Sequence, residues 1–275
     1  MSFPFGGRSR DCLINDILGD VPTVSTVSDL EREAAAFAVA DLGLVIEPAA
    51  LAAARRSLDE SGLLLLGEVH GVRENPLLIR SLMRAFGMGG LALEWDEDLT
   101  PAVKGFLAGG PLADHPLLWF GDGRITSGHM AVLRELAAGG PLSLELFDGT
   151  IEADWDWSAR DEAMARRVLA APRAAGGTLV VAGNAHTPTA PTDLGIPLGA
   201  RLAGQRPGVR EIRIRYGSGR FYNNEPCEFH GSVGPWPRQP RLRAHDDSLV
   251  LELPAATEAV VPQRPMPWPR RPQPG

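Results

Sequence analysis

The chain has 275 residues, 44% of them hydrophobic, which is enough to bury the core of one large domain. A formal net charge of −7 and a pI near 5.4 leave no basic footprint for a phosphate backbone, so no nucleic-acid partner is expected. Nowhere do about 18 apolar residues follow one another, so no membrane-spanning helix is expected, and Cys12 and Cys227 are too few for a disulfide scaffold and read as reduced thiols.

Residues 1–27 mix Gly, Pro, Ser and Thr and read as an irregular N-terminal arm. They lack the apolar run and small-residue cleavage site of a secretory signal, which points to a cytoplasmic protein. Ser28 and Glu31 form a capping-box pattern ahead of LEREAAAFAVADLG, a helix that Gly43 can stop. A second, alanine-rich helix runs from about Pro48 to Ser61 and is closed by Gly62. Short apolar runs then alternate with helical patterns. The runs are LLLL at 63–66, LALEW at 91–95, LSLELF at 142–147 and TLVVAG at 178–183. The helical patterns are NPLLIRSLMRAF with Pro76 near its start, TPAVKGFLA behind Thr100, SGHMAVLREL and SARDEAMARRVLAA. This rhythm predicts a parallel sheet buried on both faces.

In the last third, VREIRIRY at 209–216 alternates with period two and DSLVLELP at 247–254 does so partly, as expected of strands with one wetter face at a sheet edge. The turn-rich stretch between them reads as a long loop or hairpin. From Pro262 onward the prolines supply no amide donors, so 262–275 reads as a disordered tail and 28–261 as a single domain. The expected fold class is α/β, with a central, mostly parallel sheet, helices on both faces and antiparallel edge strands near the C-terminus.

In an open parallel sheet, ligands sit beyond the carboxyl ends of the strands. After LLLL come Glu68 and His70, LALEW carries Glu94 and is followed by Asp96, LSLELFD carries Glu145 and Asp148, and TLVVAG is followed by Asn184 and His186. Glu94 lies inside an apolar strand, where an unpartnered carboxylate costs several kcal/mol, so a partner must be near. Two imidazoles and two carboxylates in one pocket (Glu68, His70, Glu94 and His186) suffice either to hold a divalent metal (zinc, manganese or cobalt) or to set up a general base with carboxylate orienters. His129 lies near an expected helix start and reads as a surface or packing residue, while His115, His230 and His245 fall in loops. There is no G-x-S-x-G elbow, no P-loop and no G-x-G-x-x-G after a strand.

GEVHG followed by RENP, the strand LALEW with its Glu, the helix SARDEAMA, and VVAGNAHTPT before GIPLGARLAG together resemble the erythromycin esterase/ChaN-like (TIKI/TraB-related) superfamily over about residues 60–205. The resemblance implies an α/β fold with a mixed sheet and a pocket in which His70 activates water, Glu68 and Glu94 orient or bind, His186 completes the site, and Arg160 and Asp161 brace it. It also brings two other functions into view, since TIKI-type relatives are described as metal-dependent peptidases and ChaN-like members bind haem. The expected function is therefore hydrolysis of an ester, lactone or amide in a small-molecule or peptide substrate. Glu68, His70, Glu94 and His186 would be catalytic, and Arg73, Asn184, Arg160 and Asp161 would bind substrate. Arg73 or Arg160, or a metal on the four catalytic residues, would polarise the carbonyl. The alternative is a non-catalytic haem- or metal-binding protein using the same histidines.

Overall fold

The computed structural model describes residues 23–149, 156–224, 226–229, 235–246 and 248–264. Its elements in chain order are β1 (Thr23–Val24), α1 (Val27–Ala36), β2 (Val45–Ile46), α2 (Pro48–Ser61), β3 (Leu63–Glu68), α3 (Asn75–Phe86), β4 (Gly90–Asp96), α4 (Thr100–Leu107), α5 (Ser127–Gly139) and β5 (Ser143–Asp148). After these come α6 (Trp157–Ala170), β6 (Thr178–Gly183), α7 (Leu198–Gln205), β7 (Arg210–Tyr222), β8 (Pro226–Phe229), β9 (Arg241–His245), β10 (Ser248–Ala256) and β11 (Val261–Pro262).

The main sheet runs β2-β9-β10-β7-β3-β6-β4-β5, with β8 added on β7. Its pairings are parallel except β9 with β10 and β7 with β8, so the antiparallel strands fall near the C-terminus as expected. The order matters for the site: β6 inserts between β3 and β4, which brings the carboxyl ends of three strands side by side.

Alternate residues of each strand bury on opposite faces. Leu64 and Leu66 of β3, Leu91 and Leu93 of β4, and Leu179 and Val181 of β6 pack in one core with residues of α1 to α5. Leu63 and Leu65, Ala92, and Val180 and Ala182 pack in the other with Met164, Ala165 and Val168 of α6 and Leu198 and Leu202 of α7. The apolar runs are thus continuous because both faces are covered.

Several expectations change in detail. Helix α1 is capped by Thr26, whose hydroxyl accepts from the Asp29 amide, and it stops at Ala36 rather than at Gly43. The ring of Phe37, immediately after it, lies beneath the Arg73 guanidinium at 5.0 Å instead of continuing the helix. Helix α2 does end at Gly62, which lies in the left-handed region at φ 77°, and α3 ends at Gly87 at φ 67°. The period-two strands β7 and β10 are not edges, because β7 lies between β3 and β10, and β10 between β7 and β9. The alternation of β7 reflects a wet outer face, on which Arg213 and Arg215 are exposed while Ile212 and Ile214 are buried, whereas β10 is buried on both faces from Leu249 to Leu253.

The segments expected to be an arm and a tail lie mostly outside the described residues, but β1 pairs with β11, and Arg264 reaches Asp114 at 2.9 Å. Cys227 is buried and is not a free thiol, so the expectation of a reduced thiol is not met there, and Cys12 lies outside the described residues. No helix among the described residues is long and apolar enough to cross a membrane.

Candidate active site

The end of β3 is held by a closed set of hydrogen bonds. The Val69 amide donates to the Tyr216 hydroxyl at 3.0 Å, that hydroxyl donates to Asn75 Oδ1 at 3.0 Å, and Asn75 Nδ2 donates to the Val69 carbonyl at 2.8 Å. Gly71 follows at φ 73°, and a Cβ there would lie 1.7 Å from the Tyr222 carbonyl oxygen, so only glycine lets the chain turn here. Beside Val69 stand Glu68, 4% exposed, and His70, whose Nδ1 lies 3.2 Å from Glu68 Oε1. Burial opposes a charged imidazole, but the bond to Glu68 and the charges of Glu94, Glu68 and Asp122 outweigh it, and the His70 pKa is raised.

Glu94 and Arg160 form the other half, on the α6 face. Glu94 Oε2 accepts from the Gly183 amide at 2.6 Å, and Oε1 accepts from Arg160 Nη2 at 2.6 Å. The same guanidinium is bidentate on Asp148, with Nε to Oδ1 at 3.0 Å and Nη2 to Oδ2 at 2.6 Å. Arg124 adds a second cation, with Nη1 at 2.7 Å from Asp148 Oδ2 and Nε at 2.6 Å from Asp122 Oδ2. Burial disfavours the Glu94 carboxylate, but His186, Arg160, Arg124 and His70 hold its pKa well below the usual carboxylate range. The partner that the sequence demanded for Glu94 is therefore a pair of guanidiniums.

His186 is oriented from both nitrogens. Nδ1 lies 2.7 Å from Asp161 Oδ1, and Nε2 lies 3.1 Å from Arg160 Nη1. A guanidinium only donates, so Nε2 presents its lone pair to Arg160 and the ring proton sits on Nδ1, facing Asp161. The Trp157 ring stacks on the imidazole at 4.7 Å. Asp161 is fixed in turn by the Leu198 amide, at 3.0 Å.

The two halves meet over Gly183. A Cβ on this residue would lie 3.2 Å from His70 Nε2 and 3.5 Å from Glu94 Oε2, which places the free nitrogen of His70 and the Glu94 carboxylate around one small space. Gly183→Ala is expected to fill that space and lower turnover by at least about tenfold while leaving the far-UV spectrum and melting temperature near those of the wild type. Undiminished turnover would show that the reaction lies elsewhere.

The four residues considered as metal ligands are not gathered around one point. Among the described residues no group of three or more His, Cys, Asp or Glu is placed to hold an ion. The physical reason is Arg160, which takes the Glu94 oxygen and the His186 lone pair that an ion would use. The donor set therefore does not fit a divalent metal, and His186 Nε2 is not free to ligate haem iron.

Other expected residues divide. Asp148 joins the cluster, whereas Glu145 pairs in register with Ala92 and lines a small cavity with Gly62 and Arg206 at the amino ends of the strands, away from the ionisable groups. Asp96 Oδ1 caps a short 3-10 turn through the Asp98 amide. Arg73 lies over Phe37 rather than on the carboxylates, and Asn184 contributes its amide to the Glu68 carbonyl at 2.9 Å while its side chain is exposed. His115 and His245 make only local contacts, and His230 lies outside the described residues. Arg124, Asp122, Trp157 and Tyr216 were not foreseen. The glycines of GDGR, with Gly121 at φ 73° and Gly123 at φ 81°, are the one signal that could have marked Asp122 and Arg124.

His129, read from sequence as a surface or packing residue, is buried beside this site. Burial pushes its pKa down to about 4, the Glu68 charge opposing and the His70 charge reinforcing that shift. A folded-state pKa below the ordinary 6.5 means that the folded protein binds fewer protons, so this contribution to stability is present above pH 6.5 and is lost as pH falls toward 4. His70 has the opposite sign, but its window lies above pH 6.5. Urea unfolding should show a loss of about 2 kcal/mol between pH 7 and 4.5 that is absent in His129→Gln. An equal loss in both proteins would contradict a buried neutral His129.

No protein-family model matches the chain, and no curated protein sequence matches it. Among solved structures it is similar to a succinoglycan biosynthesis protein at 11% identity, with a TM-score of 0.57 over 86% of this chain and 98% of the other. It is also similar to a Bacillus cereus protein at 10% identity, with a TM-score of 0.55 over 86% of this chain and all of the other. At these identities the shared feature is the α/β fold.

Proposed function

We propose that the chain is a hydrolase in which His70 takes a proton from a water that attacks an ester, lactone or amide carbonyl. The observation that carries this reading is the placing of His70: Nδ1 is tied to Glu68, and Nε2 faces the space over Gly183 beside Glu94. A general base needs a fixed tautomer and a free lone pair, and this arrangement supplies both. As the water oxygen bonds to the carbonyl carbon, its proton passes to Nε2. As the acyl carbon–oxygen or carbon–nitrogen bond breaks, the same proton passes to the leaving group.

Negative charge developing on the carbonyl oxygen is met by Arg124, the more open of the two guanidiniums, at 16% side-chain exposure against 10% for Arg160. Arg160 orders Glu94, Asp148 and His186, and Asp161 orders His186. The motifs shared with erythromycin esterases support the same assignment of the base. The arrangement does not need a metal to polarise water.

The test is a panel of carboxylic esters, lactones and amides incubated with the wild-type protein, with and without a strong chelator, beside a haemin titration. Turnover that survives the chelator is expected. No turnover on any class, together with a stoichiometric Soret band lost in His70→Ala, would replace this reading with haem binding.

A further inference from the structure

Neither His70 nor Arg124 lies in a helix or a strand, so something other than regular structure must hold the turns that carry them. The two turns touch. The Gly71 amide donates to the Gly123 carbonyl at 3.0 Å, and the Tyr222 amide donates to the Gly71 carbonyl at 3.1 Å. The approach is close enough to require glycine: a Cβ on Gly123 would lie 2.3 Å from the Tyr222 carbonyl oxygen and 2.6 Å from the Gly71 nitrogen.

One stretch of chain, 257–263, follows β10 and runs from the first turn to the second. At its start the Arg73 amide donates to the Thr257 carbonyl at 2.8 Å, Val72 pairs with Glu258, and the Ala259 amide donates to the Gly71 carbonyl at 3.0 Å. Next, the Val260 carbonyl accepts from the Ser127 amide at the start of α5, at 3.0 Å. At its end Gln263 pairs with Phe120, whose ring lies 5.7 Å from the Arg124 guanidinium carbon. The half-buried Gln263 side chain lies over Gly121, where a Cβ would be 2.8 Å from Gln263 Cγ and 3.2 Å from Nε2. Gln263 Oε1 accepts from the hydroxyl of Tyr222 at 2.6 Å, the same residue whose backbone closes the Gly71 turn. The stretch is anchored without this side chain, because β11 pairs with β1, and Arg264 bonds to Asp114 and donates to the Ser25 carbonyl at 2.6 Å. What the Gln263 side chain adds is therefore contact with the turn of Arg124.

We propose that Gln263 is a positioning residue for the reaction: its side chain, packed over Gly121 and bonded to Tyr222, sets the 121–124 turn against the Gly71 turn and so fixes Arg124 relative to His70. A misplacement of about 1 Å at a reacting group can cost about 10²-fold in rate, so a residue that touches neither water nor carbonyl can still govern turnover. The role in turnover rests on the reading of His70 and Arg124 as the reacting pair, whereas the setting of the turn does not.

Hydrogen exchange followed by nitrogen-15 NMR in the full chain separates the two. It reads the Gly71 amide, bonded to Gly123, and the Arg124 Nε–H, bonded to Asp122. In Gln263→Ala both should exchange about tenfold faster than in the wild type, and kcat should fall about tenfold with KM changed less. Gln263→Glu, which keeps the acceptor for Tyr222 and the packing over Gly121, should restore both in part. Unchanged exchange at the two groups in Gln263→Ala overturns the inference. So does a Gln263→Ala protein with full kcat and only a lower melting temperature, since that is the mark of a residue that merely anchors the chain end. If the wild type turns over no substrate, the hydrolase reading fails, and the two exchange rates still decide whether Gln263 sets the turn.

Discussion

Replacing Arg160 with methionine is expected to cost about 3–5 kcal/mol of folding free energy at pH 8, because it leaves buried carboxylates without their main cation. Arg160 makes two bonds to Asp148 and one to Glu94, with side-chain exposures of 10%, 4% and 5% for the three residues. Arg124 would remain, at 2.7 Å from Asp148 but 3.5 Å from Glu94, too distant to replace the second guanidinium. The pH dependence has a definite sign. Glu94 has a folded-state pKa below its ordinary 4.5, so its contribution is present above that pH and is lost as pH falls. The gap between wild type and Arg160→Met should therefore be widest at neutral to alkaline pH and should narrow toward pH 4. Adding Glu94→Gln to Arg160→Met should recover part of the loss, since a neutral amide tolerates burial better than a carboxylate. Urea denaturation of the three proteins measures all of this. A single-variant loss under about 1 kcal/mol with no pH dependence would mean that the cluster is more hydrated than its exposures indicate.

The second large effect falls on chemistry and spares the fold. His70→Gln removes the base while keeping a polar side chain of similar reach, and kcat should fall by about 10²–10⁴-fold with a melting temperature close to that of the wild type. The contrast with Arg160→Met is the informative part, because one variant is folded and inactive and the other is unstable. A His70→Gln protein that retains full turnover on the best substrate would remove His70 from the mechanism.

Much of the fold was legible because both faces of β3, β4 and β6 are buried, which turns a sheet position into an unbroken apolar run that sequence displays directly. Gly62 was equally readable, since positive φ has few other occupants. The neighbours of β7 and β10 were not readable. A strand alternates when one face is wet, and that condition holds at an edge and in an interior strand left uncovered on one side.

At the site, the strand-end rule found Glu68, His70, Glu94 and His186, and burial required a partner for Glu94. It could not say that the partner was cationic side chains rather than an ion. Arg160 stands on α6 and Arg124 in a loop, more than 60 and about 30 residues from Glu94 along the chain, as residue numbers alone indicate. Their arrival at one carboxylate depends on β6 entering between β3 and β4. Local pattern carries no record of that order.

The most direct test of the central claim is the pH dependence of kcat/KM for the wild-type protein on its best substrate. His70 must be unprotonated to accept the water proton, and its pKa is raised above the ordinary 6.5, so kcat/KM should rise with pH along a single limb whose midpoint lies above 6.5. A profile flat from pH 5 to 9, or one whose only rise falls near 4.5, would assign the proton transfer to another group and contradict His70 as the base.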